Sequence, residues 1–186
     1  MELLDALTTR STAKTYGENA PTKEHLAQVL EAAVRAPDHG RLRPWRFMLI
    51  EGDQRRKFGD LLAASALRRV PGLSEGDLQR ERDKAMRAPL IIVTACRVVP
   101  GTKVPAVEQI LAVGSATQNI LLALHALGYA AAWKTGEAAY DPEVKKALGF
   151  TVDDHLIGFV YTGGAAGAAP TGKPASVQDA MLDFPG

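Results

Sequence analysis

"ILAVGSATQNILLALHALGYAAAW", Ile110 to Trp133, contains no Asp, Glu, Lys or Arg. A run of that length is long enough to cross a bilayer, so its reading decides what kind of fold this chain builds. Ser115, Thr117, Gln118, Asn119 and His125 are spread along it, and Gly128 breaks it near the end. In a globular chain, a helix that is apolar almost all round is central to the core or shared with a partner subunit. We therefore read a buried or interface helix, opened by Pro105 and closed by Gly128, and expect no membrane partner.

Composition agrees with a globular reading. The chain has 186 residues, 46% of them hydrophobic and 23% charged. That suits a single domain over residues 1–186 with a core able to stand alone. A formal charge of +1 excludes the strongly basic surface expected of a nucleic-acid-binding protein, so any anion site must be local. The one cysteine, Cys96, sits in the apolar run "LIIVTACRV" and reads as core packing. Without an intrachain disulfide the chain fits a reducing compartment, so a cytoplasmic location is expected. "MELLDALTTR" lacks the basic start of a secretory signal.

The remaining elements follow from periodicity and punctuation. Leu3, Leu4 and Leu7 share one face of a short helix over residues 2–9. Thr22 caps a second helix, in which Leu26, Val29, Leu30, Ala33 and Val34 form an amphipathic stripe that Pro37 ends. "RFMLIEG" (46–52) reads as a strand. Asp53 is expected to cap a third helix striped by Phe58, Leu61, Leu62, Ser65 and Ala66. From Ser74 to Arg87 a charged helix reads as a solvated face. "APLIIVTACRV" (88–98), "YAAAWKT" (129–135) and "HLIGFVYTG" (155–163) read as strands. Asp141, Pro142 and Gly149 mark a short helix from its cap to its end. Residues 164–186, rich in Gly, Ala and Pro, read as an extended C-terminal tail. About six helices alternate with four strands, and alternation by itself predicts a doubly wound parallel sheet.

Familiar catalytic motifs are missing. No GxGxxG follows a strand, and there is no P-loop, no GxSxG and no His/Cys spacing for a metal. The four histidines, 25, 39, 125 and 155, lie far apart in sequence. His25 and His155 read as surface residues and His125 as a satisfied core histidine. No metal and no catalytic side chain are expected, so a bound cofactor must carry any chemistry.

Three stretches are chemically loaded instead. "RSTAK", Arg10 to Lys14, sets two cations beside two hydroxyls, the mixture a phosphate binds. "RAPDHGRLRPWRF", Arg35 to Phe47, crowds four arginines, His39 and Trp45 around a turn. "AAWKTGE", Ala131 to Glu137, ends an apolar strand in Trp133, Lys134, Thr135 and Gly136, where glycine lets backbone approach a planar ligand. Cations and hydroxyls for a phosphate, aromatic surfaces for a flat ring and exposed backbone donors together suit flavin mononucleotide, FMN.

The same stretches carry a family resemblance. Arg10 to Tyr16, "RSTAKTY", resembles the opening pattern R-R-S-x-R-x-[FY] of FMN-dependent nitroreductases. "RAPDHGRLRPWRFMLIEG" resembles that family's second block, with the Asp-His form of its compact YdjA-type branch. "GYAAAWKTG" and "HLIGFVYTGG" resemble later blocks in the same order. The resemblance implies an α+β fold with a mainly antiparallel central sheet flanked by helices, in place of the parallel sheet. It also implies an intertwined homodimer with FMN at the subunit interface, the charge-free helix pairing with its mate and the tail embracing the partner. Position by position, Arg10, Ser11 and Thr12 would hold the phosphate and ribityl chain. Trp133, Lys134, Thr135 and Gly136 would line the ring, and Arg35 and His39 would reach the flavin of the other subunit. NAD(P)H would be the electron donor, and a nitroaromatic, quinone or similar flat small molecule the acceptor.

Departures from the pattern are chemical. Ser11 stands for the usual second arginine, Thr12 for the serine and Lys14 for the later arginine, so bidentate phosphate contacts are fewer. Arg41, Arg43 and Arg46 are either solvent-facing charge or selectors of a substrate. Two other functions stay open: another flavin reaction of the superfamily, such as dehalogenation, flavin cleavage or dehydrogenation, and a non-enzymatic dimeric binding module.

Overall fold

In the computed structural model, residues 1–167 and 176–182 are described. Helices α1 (Leu3–Thr9) and α2 (Lys23–Ala33) come first, then strand β1 (Trp45–Glu51). Helices α3 (Gln54–Arg69) and α4 (Glu75–Lys84) lead to β2 (Leu90–Cys96). The long α5 (Ala106–Ala126) precedes β3 (Tyr129–Lys134), α6 (Pro142–Ala147) and β4 (His155–Gly164). The sheet order is β1-β2-β4-β3 and every neighbouring pair is antiparallel. That corrects the parallel sheet suggested by alternation and bears out the α+β architecture. β2 is buried along its whole length and so reads as an unbroken apolar run, a pattern typical of parallel strands. Here the cause is a helical layer on each face of an antiparallel strand.

The two layers divide β2 residue by residue, because successive side chains point to opposite faces. Ile91 and Val93 join Phe58, Leu62, Val144 and Phe159 in one cluster. Leu90 and Ile92 join Val29, Ala33, Ile120 and Leu124 in the other. Cys96 is fully buried, and burial pushes its thiol up to about 11, as core packing requires.

Helix α5 is a core helix on one side only. Ala112, Val113, Ala116, Ile120, Leu121 and Leu124 are buried, while Val107 and Leu111 are 59% and 63% exposed. Its polar residues are tied to protein: Asn119 Nδ2 donates to the Ala32 carbonyl at 2.9 Å, and Thr117 Oγ1 to Val113 at 2.8 Å. Buried Gln109 accepts from the Val99 N–H at 2.9 Å and donates to the Val99 and Val104 carbonyls at 3.2 and 3.3 Å. Leu3, Leu4 and Leu7 of α1 are exposed too.

Local signals hold with two exceptions. Thr22 accepts from the His25 N–H, Ser74 and Asp77 form a capping box on α4, and Asp141 caps α6 with Gly149 left-handed behind it. Asp53, by contrast, makes no capping bond, since its own backbone is already helical. His25 is half-buried rather than superficial, with Nδ1 at 2.8 Å from the Tyr129 hydroxyl.

Asp141 also binds Arg68 Nη2 at 2.7 Å. Burial pushes its carboxyl upward, but the hydrogen bonds from Arg68 and the Glu143 N–H and the Arg68 charge outweigh this, and the net shift is downward. A depressed folded-state pKa stabilises the fold above the ordinary carboxylate range and stops doing so as pH falls through the depressed value. Urea midpoints measured against pH will therefore fall more steeply on acidification in the wild type than in Asp141→Asn.

Residues 13–19 are tied to the sheet at two strands. Ala13 N–H donates to the Ala131 carbonyl of β3 at 3.0 Å, Gly17 N–H to Gly164 at the end of β4 at 2.8 Å, and Gly164 N–H to Asn19 at 2.8 Å. The first of these bonds lays "RSTAK" beside the edge strand β3. Of the expected tail, Gly164 ends β4 and Thr15 Oγ1 donates to the Ala166 carbonyl at 2.9 Å. Residues 168–175 and 183–186 of it, Lys173 included, lie outside the described residues.

Candidate functional site

Two of the three loaded stretches meet. A cavity of about 740 Å³ opens between the β3–β4 face and the α3–α4 layer. Thr12 and Lys14 line it from one side and Trp133, Lys134, Thr135 and Gly136 from another. A smaller cleft of about 310 Å³ is lined by Arg10, Thr12, Gln118, Leu121, Trp133 and Thr135. Thr12, Trp133 and Thr135 belong to both. Ser11 faces elsewhere. With Arg10 and His125 it lines a cavity of about 460 Å³ beside Tyr129–Ala131.

Trp133 is held rigidly. Its Nε1 donates to the Ile157 carbonyl at 3.0 Å, and the indole packs directly on Gly158. Beyond it the chain turns at Gly136, with φ +69° and ψ 177°, a conformation that L side chains resist. That turn leaves Thr135 and Gly136 exposed at the cavity mouth.

The opposite wall escaped the sequence reading. Arg69 of α3, Glu81 and Lys84 of α4, and Arg87 just beyond it also line the larger cavity, with Tyr16 and Tyr161. The charged stretch of α4 read as a solvated face, and only its packing against α3 sets it opposite β3 and β4 across a cavity. Lys84 Nζ reaches both Glu81 oxygens at 2.6 Å. Among the described residues that line it, Lys14, Arg69, Lys84, Arg87 and Lys134 stand against Glu81 and Glu137, so a nearly neutral chain concentrates positive charge here. The Tyr16 and Tyr161 rings lie 6.5 Å apart. Burial raises both phenols, Tyr161 to about 12, against the opposing charge of Arg87. Both stay protonated at neutral pH, and the Tyr16 hydroxyl donates to the Ala13 carbonyl at 3.5 Å.

Arg35 and His39 are not part of this wall. Arg35 is exposed beyond the end of α2, and His39 sits on the following turn, its Nδ1 2.5 Å from Glu108 Oε2 of α5. The turn is strained: Arg41 and Arg43 have φ +54° and +51°, a backbone that costs about 1–2 kcal/mol per non-glycine residue. Asp38 offsets this by accepting from the Leu42 and Arg43 N–H groups at 3.2 and 2.8 Å. Arg46 Nη1 donates to the carbonyls of Arg43 and Trp45 at 3.0 and 2.7 Å. Trp45 and Phe47 pack against the α2–α5 core. Among the described residues no His, Cys, Asp and Glu cluster could hold a metal.

An antiparallel sheet between two helical layers, with a cationic and aromatic cavity at its β3–β4 end, defines an α+β ligand-binding domain. The chain belongs to the nitroreductase family: the model of that family matches residues 7–164. It is 35% identical over 163 residues, 88% of each chain, to "Putative NAD(P)H nitroreductase YdjA" of Escherichia coli K12. A nitroreductase-like protein from Bacillus cereus superposes with a TM-score of 0.85 at 24% identity, over 100% of this chain and 97% of that one. A protein from Desulfovibrio desulfuricans described as a "putative nitroreductase", solved in complex with FMN, gives 0.77 at 24% identity, over 100% and 98%. At that identity the two structures establish the fold.

Proposed function

We propose that the chain is an FMN-dependent NAD(P)H oxidoreductase that acts as a cytoplasmic homodimer and reduces a flat, electron-poor acceptor such as a nitroaromatic or quinone. One observation carries this reading: residues 12–14 and 133–136, far apart in sequence, converge on one cavity. The residues present fit FMN. Arg10 and Thr12 offer a cation and a hydroxyl in the smaller cleft, where a phosphate and ribityl chain would lie. The wider cavity offers aromatic surfaces, and Gly136 leaves open space where a side chain would stand. Relatives point the same way: the E. coli protein is named for NAD(P)H and the D. desulfuricans protein binds FMN.

FMN, when bound, supplies the redox chemistry by accepting a hydride from the nicotinamide and passing electrons to the acceptor. The chain's own residues bind, orient and polarise. Lys14 and Lys134 line the cavity and would place positive charge beside a bound flavin ring, which would favour electron uptake there. Tyr16 and Tyr161 offer neutral donors, and the anchored Trp133 fixes the wall. No side chain acts as a base. The open apolar faces of α1 and α5 support the homodimer, since exposed apolar patches of this kind mark interaction sites. In that dimer Arg35 and His39 reach the neighbouring subunit's flavin.

The test is direct. Purified protein should be yellow, release FMN on denaturation, and be bleached anaerobically by NADH or NADPH, with colour restored by a quinone or nitroaromatic. Protein that neither carries FMN nor takes it up when supplied overturns the reading.

A further inference from the structure

His39 is not free to turn. A carboxylate can only accept hydrogen bonds, so the 2.5 Å contact with Glu108 Oε2 requires the proton on His39 Nδ1. That leaves Nε2 as the outward-facing nitrogen. The frame behind the contact is rigid. Gln109, next to Glu108, ties the first turn of α5 to Val99 and Val104. Val104 in turn packs on Gly40, where an added Cβ would meet its Cγ2 at 3.1 Å. Asp38 pins the other end of the His39 turn. An acidic residue in the first turn of α5 suits the helix dipole, but the dipole alone does not aim a carboxylate at an imidazole 69 residues away in sequence.

We propose that Glu108 is a positioning residue, which holds His39 as the Nδ1–H tautomer and presents Nε2 to the flavin of the neighbouring subunit. The flavin half rests on the proposed function. In the neutral ring Nε2 is an acceptor, so the groups it suits are donors, a ribityl hydroxyl or the N3–H of the flavin ring. Carboxylate–histidine pairs fix ring orientation at ligand sites by the same geometry.

The experiment has two arms. Long-range ¹H–¹⁵N spectra of histidine-labelled protein should show His39 protonated at Nδ1 in the wild type and in Glu108→Gln, whose amide oxygen still accepts, and not in Glu108→Ala. FMN release from the holoprotein, followed by flavin fluorescence, should loosen roughly fivefold in Glu108→Ala, and His39→Ala should leave no further effect of Glu108→Ala. Thermal midpoints should barely move, because the His39 and Glu108 side chains are 66% and 42% exposed. A His39 ring protonated at Nε2 in the wild type overturns the Glu108 assignment whatever the flavin result. So does an equal loss of FMN in the wild-type and His39→Ala backgrounds. Wild-type protein that binds no FMN overturns the flavin reading, and with it the group that Nε2 meets, while the tautomer arm still decides the pair.

Discussion

Arg10→Ala should weaken FMN binding roughly 10- to 100-fold, the range expected for a charge-assisted contact to a phosphate. Arg10 is half-buried and lines the smaller cleft with Thr12, Gln118 and Thr135. Removing it leaves a phosphate with neutral donors and no cation in that cleft. Titration of apoprotein with FMN and with riboflavin isolates the effect. Riboflavin lacks the phosphate, so its affinity should change little between wild type and variant. Raising salt should weaken FMN in the wild type and less so in Arg10→Ala. Equal losses for the two ligands would place Arg10 away from the phosphate. Arg41→Ala, on the strained turn outside the cleft, serves as the control.

Gly158→Ala should lower the unfolding free energy by about 3 kcal/mol, from overpacking and a lost hydrogen bond. In a chain of this size that is a fall in Tm of roughly 6–12 °C. A Cβ there would lie 2.1 Å from Trp133 Nε1, 2.6 Å from its Cδ1 and 2.8 Å from the Lys134 carbonyl oxygen. Neither neighbour can yield freely. Moving the indole breaks its bond to Ile157, and moving the Lys134 carbonyl displaces Thr135 and Gly136 at the cavity mouth. FMN affinity should therefore fall with stability. Trp133→Ala should remove most of the added penalty, since it deletes the atoms that clash. Calorimetry on the four proteins of this double-mutant cycle gives the coupling directly. Additive effects would mean that Gly158 is needed for some other reason.

Local order was legible where a few neighbouring residues decide it. The stripe from Leu26 to Val34, the Thr22 cap and the Asp141-Pro142…Gly149 helix depend on contacts within one or two turns. Strand direction was not legible. The apolar run of β2 looks the same read forward or backward, so alternation suggested a parallel sheet until the resemblance at "RSTAK" and "RAPDHG" outweighed it. The candidate site divides in the same way. Arg10, Thr12 and Trp133–Gly136 stood out as concentrations of cation, hydroxyl and aromatic with no structural need. Ser11 came with them as part of a motif, but it lines the neighbouring cavity beside Tyr129–Ala131.

Arg69, Glu81, Lys84 and Arg87 could not have been selected from sequence, because a charged helix facing a cavity has the same composition as one facing water. The role of Glu108 was hidden likewise, since its partner lies on a different element. By itself, then, the amino-acid sequence determined the elements, the two-sided core and the chemistry to be placed at the site. Those follow from side-chain polarity, backbone preference and short-range hydrogen bonds. Strand order, the face of α4 turned inward and the aim of His39 were decided only in the tertiary structure. Each depends on which distant surfaces exclude water together, and no local pattern encodes that.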